Sequence, residues 1–140
     1  MKRTIFIFVT LVALLFCNSS AFASNLQPYA SLTLSRYFAE ATSGENRGEI
    51  IIGFEVKSSK SSASLGVENI DFYTRDGAYV TSVSGTTGNG LVRSDSNIHT
   101  SNFSYDLPSG NFYYAEVTVF ARVGSEYDSR TVTTSTVWVS

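Results

Sequence analysis

Ile50-Ile51-Ile52-Gly53-Phe54-Glu55-Val56-Lys57 is the most regular stretch of the chain. Ile50, Ile52, Phe54 and Val56 fall on one side of an extended backbone, and Ile51, Gly53, Glu55 and Lys57 on the other, because successive side chains of a strand point to opposite faces. A strand buried on one face is therefore expected here. Upstream, Ser43-Gly44-Glu45-Asn46-Arg47-Gly48 reads as a polar loop, and residues 29–42 as a first strand in which Leu32 and Leu34 alternate with Ser31, Thr33 and Ser35. Downstream, the serine-rich residues 58–64 read as a flexible loop. Leu65 and Val67 are then out of phase with Ile70 and Phe72, which places a bulge near Glu68-Asn69.

Asp76-Gly77 is the sharpest turn signal, read as a two-residue hairpin loop with positive φ at both positions. Such a hairpin pairs Arg75 with Ala78, Thr74 with Tyr79, Phe72 with Thr81 and Ile70 with Val83. It sets Ile70, Phe72, Tyr79 and Val83 on one face and lets Tyr73 meet Val80 on the other. A glycine-rich loop, residues 85–90, leads into a polar stretch, residues 91–105, anchored only by Ile98 and Phe103. After the turn Leu107-Pro108-Ser109-Gly110, Tyr113, Ala115, Val117, Val119, Ala121 and Val123 alternate with Phe112, Tyr114, Glu116, Thr118, Phe120 and Arg122. The last strand, residues 130–139, is dominated by Thr and Val; from Thr131 on it carries no charge, which also admits self-assembly along an edge. Six to seven short strands with turns between them and no helix predict an all-β fold, an antiparallel β-sandwich.

The first 23 of 140 residues differ from the rest. Met1-Lys2-Arg3 is basic, the 13 residues from 5 to 17 are almost wholly apolar, and Ala21-Phe22-Ala23 supplies the small residues a signal peptidase reads. The apolar run is shorter than the roughly 20 residues of a spanning helix. A cleaved signal peptide, residues 1–23, is expected, followed by a single sandwich domain, residues 24–140, secreted to the extracellular space with no stable membrane anchor. Cys17 leaves with the signal, so the exported chain has no cysteine and rests on its core alone. A small secreted domain without disulfides suits a bacterial exporter, where the sequon Asn102-Phe103-Ser104 carries no meaning. Loss of Lys2 and Arg3 reduces the basic residues from 10 to 8 against 12 acidic ones, a net charge of −4 that disfavours nucleic acid.

Leu107, Gly110 and Tyr113, followed by Ala115, Val117 and Val119, resemble the turn and penultimate strand of fibronectin type III and immunoglobulin-like sandwiches. That resemblance implies that Tyr113 closes a structural tyrosine corner by bonding back to the turn, with the adjacent Tyr114 as rival. It departs in the tryptophan, since Trp138 stands near the C-terminus instead of in an early strand. The layout is also similar to a group of small uncharacterised secreted proteins of Gram-positive bacteria, from which no chemistry transfers.

Catalytic readings find little support. His99 is the only histidine, expected to be an exposed strand or loop residue, and Ser96, Ser101 and Ser104 near it form no nucleophile elbow. One histidine and no cysteine do not make a zinc site. Asp71, Asp76, Asp95 and Asp106 lie near loops but in no calcium-loop pattern, so no metal and no cofactor is expected. Glu55 and Glu116 are the acids a carboxylate-only hydrolase would use if their strands were neighbours. The aromatics Tyr29, Tyr37, Tyr73, Tyr105, Tyr114, Phe120, Tyr127 and Trp138 remain, and the period-two phase turns Tyr73, Tyr114 and Phe120 outward. These three are the candidate ligand-binding residues of a non-catalytic binding module whose partner is an extracellular protein or a cell-surface glycan. The alternatives are a small exported toxin that engages membranes through its Thr/Val strands, and the carboxylate-only hydrolase.

Overall fold

The computed structural model describes residues 33–140. The expected signal peptide, Cys17, Tyr29, Ser31 and Leu32 lie outside the described residues. Seven strands follow: β1 (Leu34–Ser43), β2 (Glu49–Thr74), β3 (Tyr79–Ser84), β4 (Val92–Asp106), β5 (Asn111–Val123), β6 (Glu126–Thr133) and β7 (Val137–Val139). Every pairing is antiparallel, and the described residues contain no helix, so the fold is an all-β, sandwich-like antiparallel architecture.

The 26-residue β2 is the spine. Its first part, residues 50–58, pairs with β1 on one side, and residues 49–57 pair with β4 on the other. Its second part, residues 64–74, pairs with β5, which carries β6 and β7 beyond it, while residues 69–73 pair with β3. One strand therefore supplies the centre of two half-sheets, β1–β2–β4 and β3–β2–β5–β6/β7. A straight strand would send alternate residues to opposite faces throughout, and the two halves would not share a core. Two irregularities solve this. The inward set runs Ile50, Ile52, Phe54, Val56, Ser58 and Ser62, changes phase to Leu65 and Val67, and changes back to Ile70 and Phe72; all are buried. Against β4 the register breaks between Lys57 and Ser62, ahead of the first phase change; against β5 it breaks between Val67 and Asn69, at the second change and at the bulge expected from sequence. Gly66 sits between the two changes at φ +144°, where a Cβ would come within 2.1 Å of Leu91 O.

Residues 58–64 are thus part of a strand, not the expected loop. Their short side chains pass through the corner: Ser62 Oγ donates to Ser58 Oγ at 2.7 Å, Ser58 Oγ bonds Lys60 O, and Ser59 N donates to Thr33 O at 2.9 Å. Polar hydroxyls satisfied in this way are tolerated at the buried bend.

The β2–β3 hairpin corrects a second expectation. Gly77 adopts φ +85°, but Asp76 is not among the residues with positive φ; Gly77 N donates to Thr74 O and Thr74 N to Ala78 O, both at 2.9 Å. This is a type I turn closed by a left-handed glycine, which adds one residue to the loop. Phe72 still faces Thr81 and Ile70 still faces Val83, but Tyr79 now stands opposite Tyr73 instead of Thr74. Tyr79 therefore turns to the outer face, 59% exposed, and Val80 packs against the core.

The polar residues 91–105 form most of β4. Phe103 and Tyr105 pack against the core, so the strand phase places His99 inward and Ile98 outward, with Ile98 40% exposed. His99 is buried at 9% exposure, not exposed as expected. Its ring meets Phe54 edge-on at 5.1 Å, and Nε2–H donates to Gly90 O at 2.8 Å. The expected last strand splits into β6 and β7, both paired with β5. Thr134 sits between them and exchanges backbone N–H donation to Ala115 O at 2.9 Å for Ala115 N–H donation to its Oγ1 at 3.0 Å. Val139 is fully buried, and Gly48 N donates to Ser140 O, so the C-terminal residues are built into the sandwich. At the turn before β5, buried Tyr113 donates its hydroxyl to Pro108 O at 2.8 Å, while Gly110, at φ +83°, donates its N–H to Val139 O.

Candidate functional site

The outer face of the half-sheet β3–β2–β5–β7 collects rings because its register aligns them. β5 buries Tyr113, Ala115, Val117 and Val119, so the pleat sends Phe112, Tyr114, Glu116 and Thr118 outward. Tyr114 is paired with Tyr73 of β2, and Tyr73 with Tyr79 of β3. The Tyr73 and Tyr114 rings lie 5.3 Å apart with planes 14° from parallel, and Tyr79 meets Tyr73 edge-on at 5.8 Å. Two residues along β5, Phe112 is paired with Trp138 of β7, ring centroids 4.9 Å apart, and the Arg75 guanidinium lies 5.5 Å from the Phe112 centroid. A ribbon of five rings thus crosses four strands. Trp138 is 46% exposed and Phe112 38%, while Tyr73 and Tyr114 are half-buried by their neighbours.

Two carboxylates adjoin the ribbon. Asp71 and Glu116 are paired directly across β2 and β5, one step beyond Tyr73 and Tyr114, and neither has an ion-pair partner among the described residues. Like charges in this position repel, so the pair is unfavourable for the sheet itself. Desolvation, then the charges of Glu116 and Asp71, push the Tyr73 hydroxyl above its ordinary range. It stays a protonated donor beside two acceptors. Rings for apolar contact with hydrogen-bonding groups at their border are what an amphipathic ligand needs.

Of the candidate rings, Tyr73 and Tyr114 stand together in this ribbon and Phe120 does not. Phe120 points outward but is only 8% exposed, because Tyr127 of β6 lies over it at 6.0 Å. The Tyr127 hydroxyl donates to Glu68 Oε2 at 2.6 Å, and the Arg122 guanidinium lies 5.2 Å from the Tyr127 ring centroid, so Tyr127, itself exposed, has its hydroxyl engaged and its ring shared with Phe120 and Arg122. Desolvation, then the Glu68 bond, raise the Tyr127 hydroxyl pKa. Glu55 and Glu116 belong to different half-sheets: Glu55 bonds Arg36 at 2.8 Å, while Glu116 faces Asp71. The structure does not bring the hydrolase pair of the sequence reading together. No group of three or more His, Cys, Asp or Glu that could hold a metal ion occurs among the described residues.

Sequence reasoning missed Tyr79, Phe112 and Trp138 as members of the ribbon. Phe112 shares the outward phase of Tyr114 and was legible. Tyr79 depended on the extra residue in the turn, and Trp138 on a three-residue strand whose pairing has no local signal.

No protein-family model matches the chain, and no curated protein does. Among solved structures it is similar to part of a family 76 glycoside hydrolase from a bovine Bacteroides thetaiotaomicron strain, at 13% identity and a TM-score of 0.44, over 75% of this chain and 20% of that one. It is likewise similar to part of the Parabacteroides merdae β-glucuronidase, at 13% identity and a TM-score of 0.39, over 71% of this chain and 13% of that one. The chain spans a fifth or less of these larger proteins.

Proposed function

We propose that the protein is secreted after removal of residues 1–23 and acts outside a bacterial cell as a non-catalytic binding module for a cell-surface glycan. The observation that carries this reading is the grouping on one outer face of Tyr79–Tyr73–Tyr114 and, two residues along β5, Phe112–Trp138, bordered by Asp71 and Glu116 with no ion-pair partner among the described residues. Sugar rings present apolar C–H faces and a rim of hydroxyl donors. Aromatic rings take the first and carboxylates the second. Exposed rings grouped on one face are also costly to leave in water, which favours a face that is covered in use. The mature charge of −4 turns the choice toward neutral glycans and away from polyanions.

The test is sedimentation of the exported protein with whole cells, purified cell wall and insoluble polysaccharides. Selective sedimentation is expected, with Tyr73→Ala or Tyr114→Ala weakening the affinity read from the sedimentation isotherm about tenfold, a loss of roughly 1.4 kcal/mol. Asp71→Asn should weaken binding less. Failure to sediment with any glycan-bearing material overturns the reading, and capture by cells but by no glycan moves the face to a protein partner. Release of dye from liposomes would instead favour the membrane-active alternative.

A further inference from the structure

Gly53 interrupts an otherwise β-branched and aromatic run at the centre of β2, flanked on both sides by paired strands. A glycine inside a strand weakens it by about 0.5–1 kcal/mol relative to alanine, and marks a bulge, a sharp bend or a close approach. Neither bulge nor bend applies here. Glu40 of β1 and Asn102 of β4 pair with Gly53 in unbroken register on both sides, and its φ lies outside the positive region. What remains is a close approach: the bare backbone of the buried Gly53 lets side chains of both neighbouring strands cross over it. A Cβ at Gly53 would lie 3.1 Å from Asn102 Oδ1 and 3.4 Å from Glu40 Oε1, both ends of side chains that reach over the glycine. A depression of about 240 Å³ opens at this place on the outer face of β1–β2–β4, lined among others by Phe38, Glu40, Gly53, Glu55, Thr100 and Asn102.

The lining is chemically mixed in a definite way. Phe38, on the outward phase of β1 two residues before Glu40, is 47% exposed. Glu40 has no ion-pair partner and the Asn102 amide no hydrogen-bond partner among the described residues, whereas Glu55 is engaged by Arg36 at 2.8 Å. We infer that this depression is a binding site for one neutral pyranose ring. Phe38 takes the apolar C–H face; Glu40 accepts from one hydroxyl; Asn102 donates to and accepts from its neighbour; and the absent side chain at Gly53 lets Glu40 and Asn102 converge from opposite strands so that both reach one ring. Arg36 also lines the depression and offsets Glu55, which leaves the charge of Glu40 uncompensated and disfavours uronates, phosphates and sulfated sugars. This site lies on the half-sheet opposite in sequence to the tyrosine ribbon and does not rest on it. It contains no residue of the ribbon.

The experiment is a titration of the 15N-labelled exported protein with glucose, galactose, mannose and N-acetylglucosamine, and separately with glucuronate, followed by amide chemical shifts. At least one neutral sugar is expected to give saturable shifts at the Gly53 amide and the Asn102 side-chain amide, with glucuronate weaker. Gly53→Val adds no positive-φ strain, and valine favours strands, but its side chain pushes the Glu40 and Asn102 tips apart, so this variant should fold yet bind about tenfold more weakly. Asn102→Ala and Phe38→Ala, both at exposed positions, should weaken binding without unfolding and serve if Gly53→Val does not fold. Tyr73→Ala should leave these shifts unchanged. Absence of saturable shifts with every neutral sugar, full binding by Gly53→Val, or loss of the shifts in Tyr73→Ala would each overturn the inference.

Discussion

The two outer faces of β2 differ far more than its two inner ones. Inward, residues 50–56 contribute Ile50, Ile52, Phe54 and Val56, and residues 65–72 contribute Leu65, Val67, Ile70 and Phe72, interchangeable in kind and all buried. Outward, the first part carries Gly53 between Glu40 and Asn102 with the Arg36–Glu55 ion pair, while the second carries Asp71 and Tyr73 against Glu116 and Tyr114. One strand thus holds a single core and two chemically distinct surfaces. The inner face is constrained by packing, which rewards apolar volume of the right size with little regard to identity. The outer face is free of that constraint, so its departures from a bland polar surface are where ligand contact is sought.

The comparison breaks most visibly if the two halves are separate folding units. Phe54→Ala in the first and Phe72→Ala in the second should each cost about 3–5 kcal/mol, the usual penalty for emptying a buried phenylalanine site. Both should shift one common transition, measured by denaturant titration with the tryptophan and tyrosine signals recorded together; separate transitions would show that the shared strand does not couple the halves. Gly66→Ala addresses the corner between them. Its φ of +144° and the contact with Leu91 O predict a loss of about 2–3 kcal/mol in the same titration. A change near zero would mean that the corner relaxes freely.

Tyr113→Phe sharpens the picture at the turn before β5, where only the bond to Pro108 O is removed; about 1 kcal/mol should be lost in thermal unfolding. Arg36→Ala removes a pair whose arginine is largely exposed, and less than about 1 kcal/mol is expected, decreasing further in high salt. The smallest effect concerns Glu49 at the start of β2. The Asn46 backbone N–H donates to its carboxylate at 3.1 Å and the Asn46 side chain at 3.0 Å, holding its pKa below 4.5. A carboxyl depressed on folding adds stability that is present above its unfolded pKa and lost as pH falls through the folded one. Glu49→Gln should therefore remove a slight part of the acid-side slope of stability, and a carbon-detected titration should find the Glu49 midpoint below the ordinary value.

Much of the fold was legible where one face of a strand is apolar. The Ile50–Val56 and Tyr113–Ala121 alternations predicted the buried sets residue by residue, and the phase change at Glu68-Asn69 announced the bulge. Legibility failed where local composition and tertiary pairing disagreed. Serines in residues 58–64 have loop propensity, but ladder bonds on both sides and a buried Ser58–Ser62 pair hold them in a strand. His99 was not legible because the two apolar anchors, Ile98 and Phe103, fall on opposite phases of the strand, and only the packing of Phe103 and Tyr105 against the core sets which one faces inward. For the candidate site, Tyr73 and Tyr114 followed from alternation, while Phe120 failed because Tyr127, seven residues away around a turn, covers it.

By itself, the sequence determined the all-β class, which side of residues 50–56 and of residues 113–121 faces inward, the position of the bulge and the pairing of Ile70 and Phe72 across the hairpin. These depend on period-two alternation and local turn chemistry, which act between neighbours along the chain. Only the tertiary structure decided that one strand serves both halves, that Tyr79 and Trp138 join Tyr73 and Tyr114, that Glu55 and Glu116 stay apart, and that Gly53 lies beneath Glu40 and Asn102. Each of these is a pairing between segments far apart in the chain, and such pairings are selected by the packing of the whole core, which no local pattern encodes.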